Sequence, residues 1–168
     1  MKKNLVLLGK MGVGKSTLGK IVAKKQGMEF IDTDVVIEEK CSMKISEIFE
    51  KKGEKFFRLE EKKEVMNSLK KNNSIIGLGG GAFLNSTIRN YILKNAISIW
   101  LDSNLEILNK RAKLNNKRPL INIKNRKEKI IQLYNQRKNI YKLANYRVNC
   151  DNLRIMNIAK KIINIYEK

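Results

Sequence analysis

The feature that most constrains the fold is a glycine-rich stretch close to the N-terminus. Residues 9–16 read GKMGVGKS, which satisfies the pattern G-x-x-x-x-G-K-[ST] at every fixed position. An apolar run, Asn4–Leu8, precedes it, and a helix-forming stretch, about Lys15–Lys25, follows it. Strand, glycine loop and helix in this order are typical of a phosphate-binding loop in an α/β protein. The sequence therefore predicts a nucleoside triphosphate site at the edge of a sheet.

Each part of this loop has a physical role toward ATP and Mg²⁺. The glycines let backbone N–H groups approach the β-phosphate, and the following helix adds its positive N-terminal end. Lys15 supplies a mobile charge for the β- and γ-phosphates, Ser16 offers a hydroxyl ligand to Mg²⁺, and Thr17 lies near the α-phosphate. The predicted nucleotide-binding residues of the loop are Gly12, Val13, Gly14, Lys15, Ser16 and Thr17.

Short apolar runs alternate with longer amphipathic stretches along the rest of the chain. Strands are predicted at Asn4–Leu8, Met28–Ile31, Ser74–Gly77, Ala96–Leu101 and Tyr146–Asn149. Further helices are predicted at Val35–Cys41, Ile45–Lys51, Glu54–Lys70, Ser86–Lys94, Asn104–Leu114, Arg126–Ala144 and Leu153–Tyr166. This alternation favours a parallel sheet with helices on both faces, and 168 residues suit one domain, 1–168.

The composition excludes several kinds of site. The chain has no histidine, which rules out a histidine-bound metal and a histidine base. Its two cysteines, Cys41 and Cys150, form no C-x-x-C pair and are typical of free thiols in a reducing compartment. The apolar runs are too short to span a membrane, and the run after Lys2 and Lys3 is too short for a signal peptide. We therefore expect a cytoplasmic protein without membrane partners.

The formal net charge is +20, from 36 basic and 16 acidic residues. This charge alone supports one alternative, a nucleotide-dependent module that binds nucleic acid. The lysines are spread over the whole chain, however, and aromatic residues make up only 7% of it. We therefore expect no nucleic-acid partner and interpret the charge as favouring the approach of small anionic substrates.

Two aspartates follow the second predicted strand, in the sequence Asp32-Thr33-Asp34. Ligands of open α/β sheets gather at the carboxyl ends of the strands. Asp32 is predicted to hold Mg²⁺ through water, and Asp34 to hydrogen-bond a hydroxyl of the acceptor and accept its proton. The structural alternative makes Asp34 the N-cap of the helix that starts near Val35.

Two arginines and a glycine triplet are candidates for binding the acceptor. Arg58 lies in FFRLEE and Arg137 in QRKNIY, and a guanidinium grips a carboxylate with two parallel hydrogen bonds. Gly79, Gly80 and Gly81 can present bare N–H groups to an anion or a hydroxyl. The alternatives are solvated surface arginines and a flexible turn.

A basic stretch, Asn115–Asn125, contains Arg118 beside a lysine and the only proline. A lid over about residues 112–125 would exclude water and bring Arg118 near the γ-phosphate. Arg111, on the preceding predicted helix, could lie against the adenine. The alternative is an ordinary surface loop.

Six segments, taken in this order, resemble those of the shikimate kinase family over essentially the full chain. They are GKMGVGKST, FIDTD, ISEIFEKKGEKFFRLEE, GLGGG, KRPLI, and Arg137 followed by Tyr141. The phosphate loop alone is unspecific, whereas all six in order and at these spacings are highly specific. Related acceptors, such as gluconate or a nucleotide, are the alternative within small-molecule kinases.

The resemblance implies a three-layer αβα P-loop kinase of the nucleoside-monophosphate-kinase type, with a five-stranded parallel sheet. It implies transfer from ATP to the 3-hydroxyl of shikimate, with Mg²⁺ as cofactor, by a cytoplasmic monomer. The implied catalytic residues are Lys15, Asp34 and Arg118, and the implied metal-holding residues are Ser16 and Asp32. Nucleotide contacts include Arg111 and Arg118. The implied substrate-binding residues are Asp34, Arg58, Gly79, Gly80, Gly81 and Arg137.

Overall fold

A computed structural model describes residues 3–104 and 123–168 of the chain. Arg111, Arg118, the predicted helix Asn104–Leu114 beyond its first residue, and the predicted lid up to residue 122 lie outside the described residues.

The described residues form a parallel sheet of five strands in the order β2-β3-β1-β4-β5. The strands are β1 (Asn4–Gly9), β2 (Glu29–Asp32), β3 (Ser74–Gly77), β4 (Ala96–Asp102) and β5 (Tyr146–Asn149). The first strand in the sequence is thus the central strand of the sheet, and the phosphate loop that follows it starts at the middle of the carboxyl edge.

Helices connect the strands and cover both faces of the sheet. They are α1 (Lys15–Gln26), α2 (Thr33–Cys41), α3 (Ile45–Lys70), α4 (Ser86–Asn95), α5 (Ile123–Tyr141) and α6 (Ile155–Tyr166). A short 3₁₀ turn, Ala82–Leu84, follows the glycine triplet. The five-stranded parallel sheet between helical layers confirms the predicted architecture.

The core is divided by the sheet, because successive residues of a strand point to opposite faces. Leu5 and Leu7 belong to an apolar cluster with residues of α1 and α6. Val6 and Leu8 belong to a second cluster with residues of α3, α4 and α5. All six residues of β1 are buried, as expected for a strand covered on both faces.

Two predicted helices, Ile45–Lys51 and Glu54–Lys70, are the two arms of α3, which bends at Gly53. Gly53 has φ 81° and ψ 166°, which is not a helical conformation and is one that glycine adopts readily. A third, smaller apolar cluster joins α2 to both arms through Ile37, Ile48 and Phe57. The bend therefore lets the second arm of α3 pack against the sheet while both arms contact α2.

The start of α2 corrects one of the alternatives drawn from the sequence. The helix begins at Thr33, and its N-cap is Asp32, whose side chain accepts a hydrogen bond from the backbone N–H of Asp34 at 3.2 Å. Asp34 is therefore not the N-cap, and its side chain is left for another role. A second correction concerns residues 123–125, predicted as irregular, which form the first turn of α5.

Within the two described ranges, no helix combines the length and the apolar character needed to cross a membrane.

Candidate active site

The phosphate loop joins β1 to α1 in a conformation that depends on its glycines. Gly12 and Gly14 have φ 83° and φ 99°, in the region that other residues rarely adopt. Lys15 folds back over the loop, and its Nζ donates to the carbonyl oxygens of Gly9 at 2.9 Å and Lys10 at 3.0 Å. The loop thus holds an ammonium group above a turn whose N–H groups can face a phosphate.

Burial lowers the pKa of Lys15 to about 8, although the neighbouring Asp34 and Asp32 oppose this shift. Arg137 lowers it further. At neutral pH the side chain is therefore still mostly charged, but it is held in a poorly hydrated place. A charge in such a place acts on a phosphate group more strongly than the same charge in water.

Ser16 and Asp32 meet at the start of α1 and the end of β2. The hydroxyl of Ser16 donates to Oδ2 of Asp32 at 2.5 Å. A hydroxyl and a carboxylate oxygen side by side are hard oxygen donors, the type that Mg²⁺ prefers. Among the described residues, no group of three or more His, Cys, Asp or Glu side chains could form a closed metal cage.

The carboxyl group of Asp34 faces the glycine triplet. Its Oδ1 is buried and has no hydrogen-bond partner within 3–104 and 123–168. Burial raises the pKa of this carboxyl to about 6, with further contributions from Asp32 and Glu61, while Lys15 opposes the shift. Buried polar atoms are normally paired, so an unpaired carboxylate oxygen indicates a site for a donor such as a hydroxyl.

The glycine triplet is the surface on which three charged side chains converge. A Cβ atom at Gly79 would lie 2.4 Å from Oδ1 of Asp34. At Gly80 it would lie 3.2 Å from Nη1 of Arg137, and at Gly81 it would lie 2.4 Å from Nη1 of Arg58. The absence of side chains on the triplet thus lets all three groups approach one another.

Arg58 is held in place by two glutamates of its own helix. Its Nη1 donates to Oε2 of Glu61 at 2.8 Å, and its Nε and Nη2 donate to Oε1 of Glu54, both at 3.2 Å. Glu61 is only 3% exposed, whereas Arg58 remains partly open to solvent. Glu61 lies three residues after Arg58 in FFRLEE, and no role was predicted for it from the sequence. The structure shows that it orients Arg58.

Arg137 is anchored on α5 next to Tyr141. Nη1 of Arg137 donates to the carbonyl of Gly80 at 3.3 Å, and the hydroxyl of Tyr141 donates to the same oxygen at 2.5 Å. The Nε of Arg137 is buried and has no partner in the described part of the chain. The arginine therefore has a fixed orientation with one N–H donor still available, while Asp34 offers an unpaired acceptor oxygen.

An aromatic wall lies beside Arg58. The rings of Phe49 and Phe57 pack with centroids 4.7 Å apart, and the guanidinium of Arg58 lies 6.0 Å and 5.3 Å from them. Phe57 is buried in the core, so Phe49 is the ring that can offer an apolar face to a small ring compound.

The structure thus brings together Asp34, Arg58, Arg137 and the triplet, next to Lys15, Ser16 and Asp32. Glu61 and Tyr141 are the supporting residues that sequence reasoning did not assign. A signal for both was available, because each lies three or four positions from its arginine, on the same face of a helix.

The chain is similar to proteins of one family. The family model described as shikimate kinase matches residues 11–167. Over 126 residues the chain is 44% identical to the shikimate kinase of Bartonella quintana (strain Toulouse). This match covers 75% of the chain but only 60% of that relative. The chain is also 37% identical over 166 residues to the shikimate kinase of Thermodesulfovibrio yellowstonii, covering 99% of this chain and 96% of that one.

A solved structure gives the same result. The solved structure of the shikimate kinase from Acinetobacter baumannii in complex with shikimate superposes with a TM-score of 0.89 at 30% identity. The superposition covers 98% of this chain and 93% of that one. Taken with the matched residues 11–167, these similarities show that the chain belongs to the shikimate kinase family.

Proposed function

We propose that this chain transfers the γ-phosphate of ATP to the 3-hydroxyl of shikimate, giving ADP and 3-phosphoshikimate. The observation that carries the proposal is the convergence of Asp34, Arg58 and Arg137 on the glycine triplet, next to the phosphate loop. Family membership and the shikimate complex of the Acinetobacter baumannii relative support the same acceptor.

The two arginines bind the carboxylate of the acceptor. Guanidinium groups offer paired N–H donors that match a carboxylate, and both groups are already oriented, by Glu61 and by the carbonyl of Gly80. The orienting contacts reduce the entropy that would be lost when the acid binds. The glycine triplet, which faces both arginines, has no side chains, so the acceptor can approach the backbone of the triplet.

Asp34 orients the reacting hydroxyl and takes its proton. With a pKa of about 6, the carboxyl is mostly ionised near pH 7.5 and can still accept a proton as the hydroxyl oxygen bonds to phosphorus. Phosphoryl transfer depends mainly on positioning and on stabilising charge, so a well-placed proton acceptor of modest basicity is sufficient.

Lys15 stabilises the negative charge of the transferred phosphoryl group from the opposite side. Ser16 and Asp32 would hold Mg²⁺, and the bound ion would neutralise charge on the β- and γ-phosphates. Backbone N–H groups of the loop bind the remaining phosphate oxygens, with Gly12, Val13, Gly14 and Thr17 as nucleotide contacts. Arg118 near the γ-phosphate and Arg111 near the adenine stay predictions from the sequence.

Replacing Arg137 with alanine is expected to weaken shikimate binding by about 2 kcal/mol or more, which is roughly a 30-fold rise in KM. The substitution removes one of two carboxylate donors and leaves the acid partly unpaired in a desolvated place. The KM for ATP should change by less than about twofold. Initial rates with each substrate varied in turn would measure both constants. A change confined to ATP would show that the acceptor site is wrongly placed.

The pH dependence should reveal the raised pKa of Asp34. At saturating ATP, kcat/KM for shikimate is expected to fall with a slope of one below about pH 6, because the protonated carboxyl can no longer accept a proton. Rates measured in constant-ionic-strength buffers from pH 5 to pH 8 test this. A value of kcat/KM that stays level down to pH 5 would mean an ordinary aspartate and would contradict the assigned environment.

The acceptor itself is tested by ADP release coupled to NADH oxidation, with ATP, Mg²⁺ and either shikimate, gluconate or a nucleoside monophosphate. We expect release with shikimate alone. A folded protein that shows no release above the acceptor-free control with shikimate would overturn the proposal. A monomeric, cytoplasmic enzyme, organised as one domain with a lid and binding no nucleic acid, stays a prediction.

A further inference from the structure

The second residue of the phosphate loop, Lys10, has no role in the nucleotide contacts assigned above. It occupies a position where the loop pattern accepts any residue. Yet the residue is only 8% exposed, which is unusual for a lysine in a chain with 36 basic residues. A lysine is buried in this way only when its ammonium group finds partners.

The partners of Lys10 lie on β4 and α5. Its Nζ donates to the carbonyl of Ser103 at 2.6 Å and lies 3.4 Å from the centroid of the Tyr134 ring. The first contact fixes the loop to the end of β4. The second is a cation–π contact with α5, a helix that lies far from the loop in the sequence.

Tyr134 is itself fixed at its other end. Its hydroxyl donates to Oδ1 of Asp102 at 3.2 Å, and Oδ2 of Asp102 accepts from Nε and Nη2 of Arg147 at 3.1 Å and 2.6 Å. Asp102 is buried, whereas the side chain of Arg147 is largely exposed, so the carboxylate is the shielded partner of this pair. The ring is therefore held from two sides, by the loop lysine and by the ends of β4 and β5.

The same face of α5 carries the proposed acceptor arginine. Tyr134, Arg137 and Tyr141 are spaced three and four residues apart, so they lie along one side of the helix. The last two meet the carbonyl of Gly80, while the first meets Lys10. Any tilt of α5 that broke the lysine contact would also shift Arg137 relative to the glycine triplet.

We propose that Lys10 is a positioning residue that ties the phosphate loop to α5 through Tyr134 and thereby sets Arg137 in place for the acceptor. The contact joins the ATP half of the site to the shikimate half. The inference rests on the proposed function, because Arg137 is taken as a carboxylate-binding residue.

The charge of Lys10 is compatible with this role. Burial lowers its pKa to about 8, while Asp102 and Asp151 oppose the shift and Lys138 adds to it. The side chain is thus mostly a cation at neutral pH, and a desolvated cation over an aromatic face is attracted more strongly than an exposed one. The Nζ of Lys138 lies farther from the same ring, at 5.7 Å.

Three substitutions test the proposed link between the phosphate loop and α5. Lys10→Met keeps the length of the side chain and removes its charge. Tyr134→Leu removes the aromatic ring. Lys10→Arg keeps a cation at position 10. In the first two we expect the KM for shikimate to rise about tenfold, with the KM for ATP and kcat within about twofold of the parent. The double variant should be no worse than either single one, because both remove the same contact. In Lys10→Arg, the KM for shikimate should stay much closer to that of the parent than it does in Lys10→Met.

A second measurement does not depend on any substrate. In Lys10→Met, amide hydrogen exchange over residues 134–144 is expected to be about tenfold faster, while exchange in α1 stays unchanged. The control is Lys63→Met, which removes another lysine whose partner, Glu60, lies on the same exposed helix surface. This control should change neither the KM values nor the exchange.

Two results would overturn the inference. One is an unchanged shikimate KM in both Lys10→Met and Tyr134→Leu. The other is a loss that falls on ATP, which would make Lys10 a nucleotide contact. If the parent chain itself does not phosphorylate shikimate, the proposed function fails. In that case, unchanged amide hydrogen exchange in α5 of Lys10→Met would separately reject the link between the phosphate loop and α5.

Discussion

Replacing Lys15 with alanine is expected to lower kcat by about 10³-fold or more, which corresponds to roughly 4 kcal/mol of lost transition-state stabilisation. The reason is that the ammonium group is buried beside the loop that binds the phosphates, where water cannot take over its role. Single-turnover rates with ATP and shikimate at pH 7.5 measure the effect.

The fold should tolerate this change. Since burial lowers the pKa of Lys15 to about 8, keeping the charged group in the folded state costs free energy at neutral pH. The thermal midpoint of the alanine variant should therefore stay within a few degrees of the parent. Lys24→Ala, on the exposed side of the same helix, is the control and should keep normal turnover. Normal turnover in the Lys15 variant would refute the role assigned to it.

The second large effect is expected for Asp34→Asn, which should lower kcat by about 10²- to 10³-fold. The amide has the same shape and can still contact the reacting hydroxyl, but it cannot take the proton. Steady-state rates at pH 7.5 measure this, with Glu39→Gln on the exposed side of α2 as the control. A loss of less than about tenfold would mean that Asp34 only orients the acceptor.

The same substitution should stabilise the folded protein, and this effect depends on pH in a defined direction. The pKa of Asp34 is raised from 3.8 to about 6, so the folded state favours the protonated form. The resulting penalty is absent below pH 4, grows between pH 4 and pH 6, and is complete above pH 6. Its upper limit is about 3 kcal/mol. Urea unfolding of both proteins at pH 8 and pH 4 should show a gain for Asp34→Asn at pH 8 only.

Much of the site could be predicted because its residues stand beside strong local signals. The phosphate loop follows β1, the two aspartates follow β2, and the triplet follows β3, so each marks the carboxyl end of a strand. In a parallel sheet these ends meet at one edge, and the sequence order alone therefore brings the three groups together. The bounds of β3 and β5 were also predicted correctly, and an asparagine, Asn73 or Asn145, directly precedes each strand.

The supporting contacts could not be predicted in the same way. Glu61 and Tyr141 act through the positions of Arg58 and Gly80, which depend on how α3 and α5 pack against the triplet. Lys10 was one lysine among many, and its burial depends on Tyr134, which lies far away in the sequence. Local patterns indicate which chemistry is present, whereas the tertiary packing decides which side chains are held still.

The central place of β1 has a consequence for how the chain is made. Leu5 pairs with Ile75 on one side and with Ile97 on the other, so β1 cannot be paired on both sides until β4, much later in the chain, is synthesised. At about 5–20 residues per second, this takes several seconds or more. During that time an apolar strand lacks at least one neighbour, and its second covering helix, α6, follows all five strands in the chain. Nascent chains of this protein should therefore depend on chaperones or on slow elongation for a high yield of folded product.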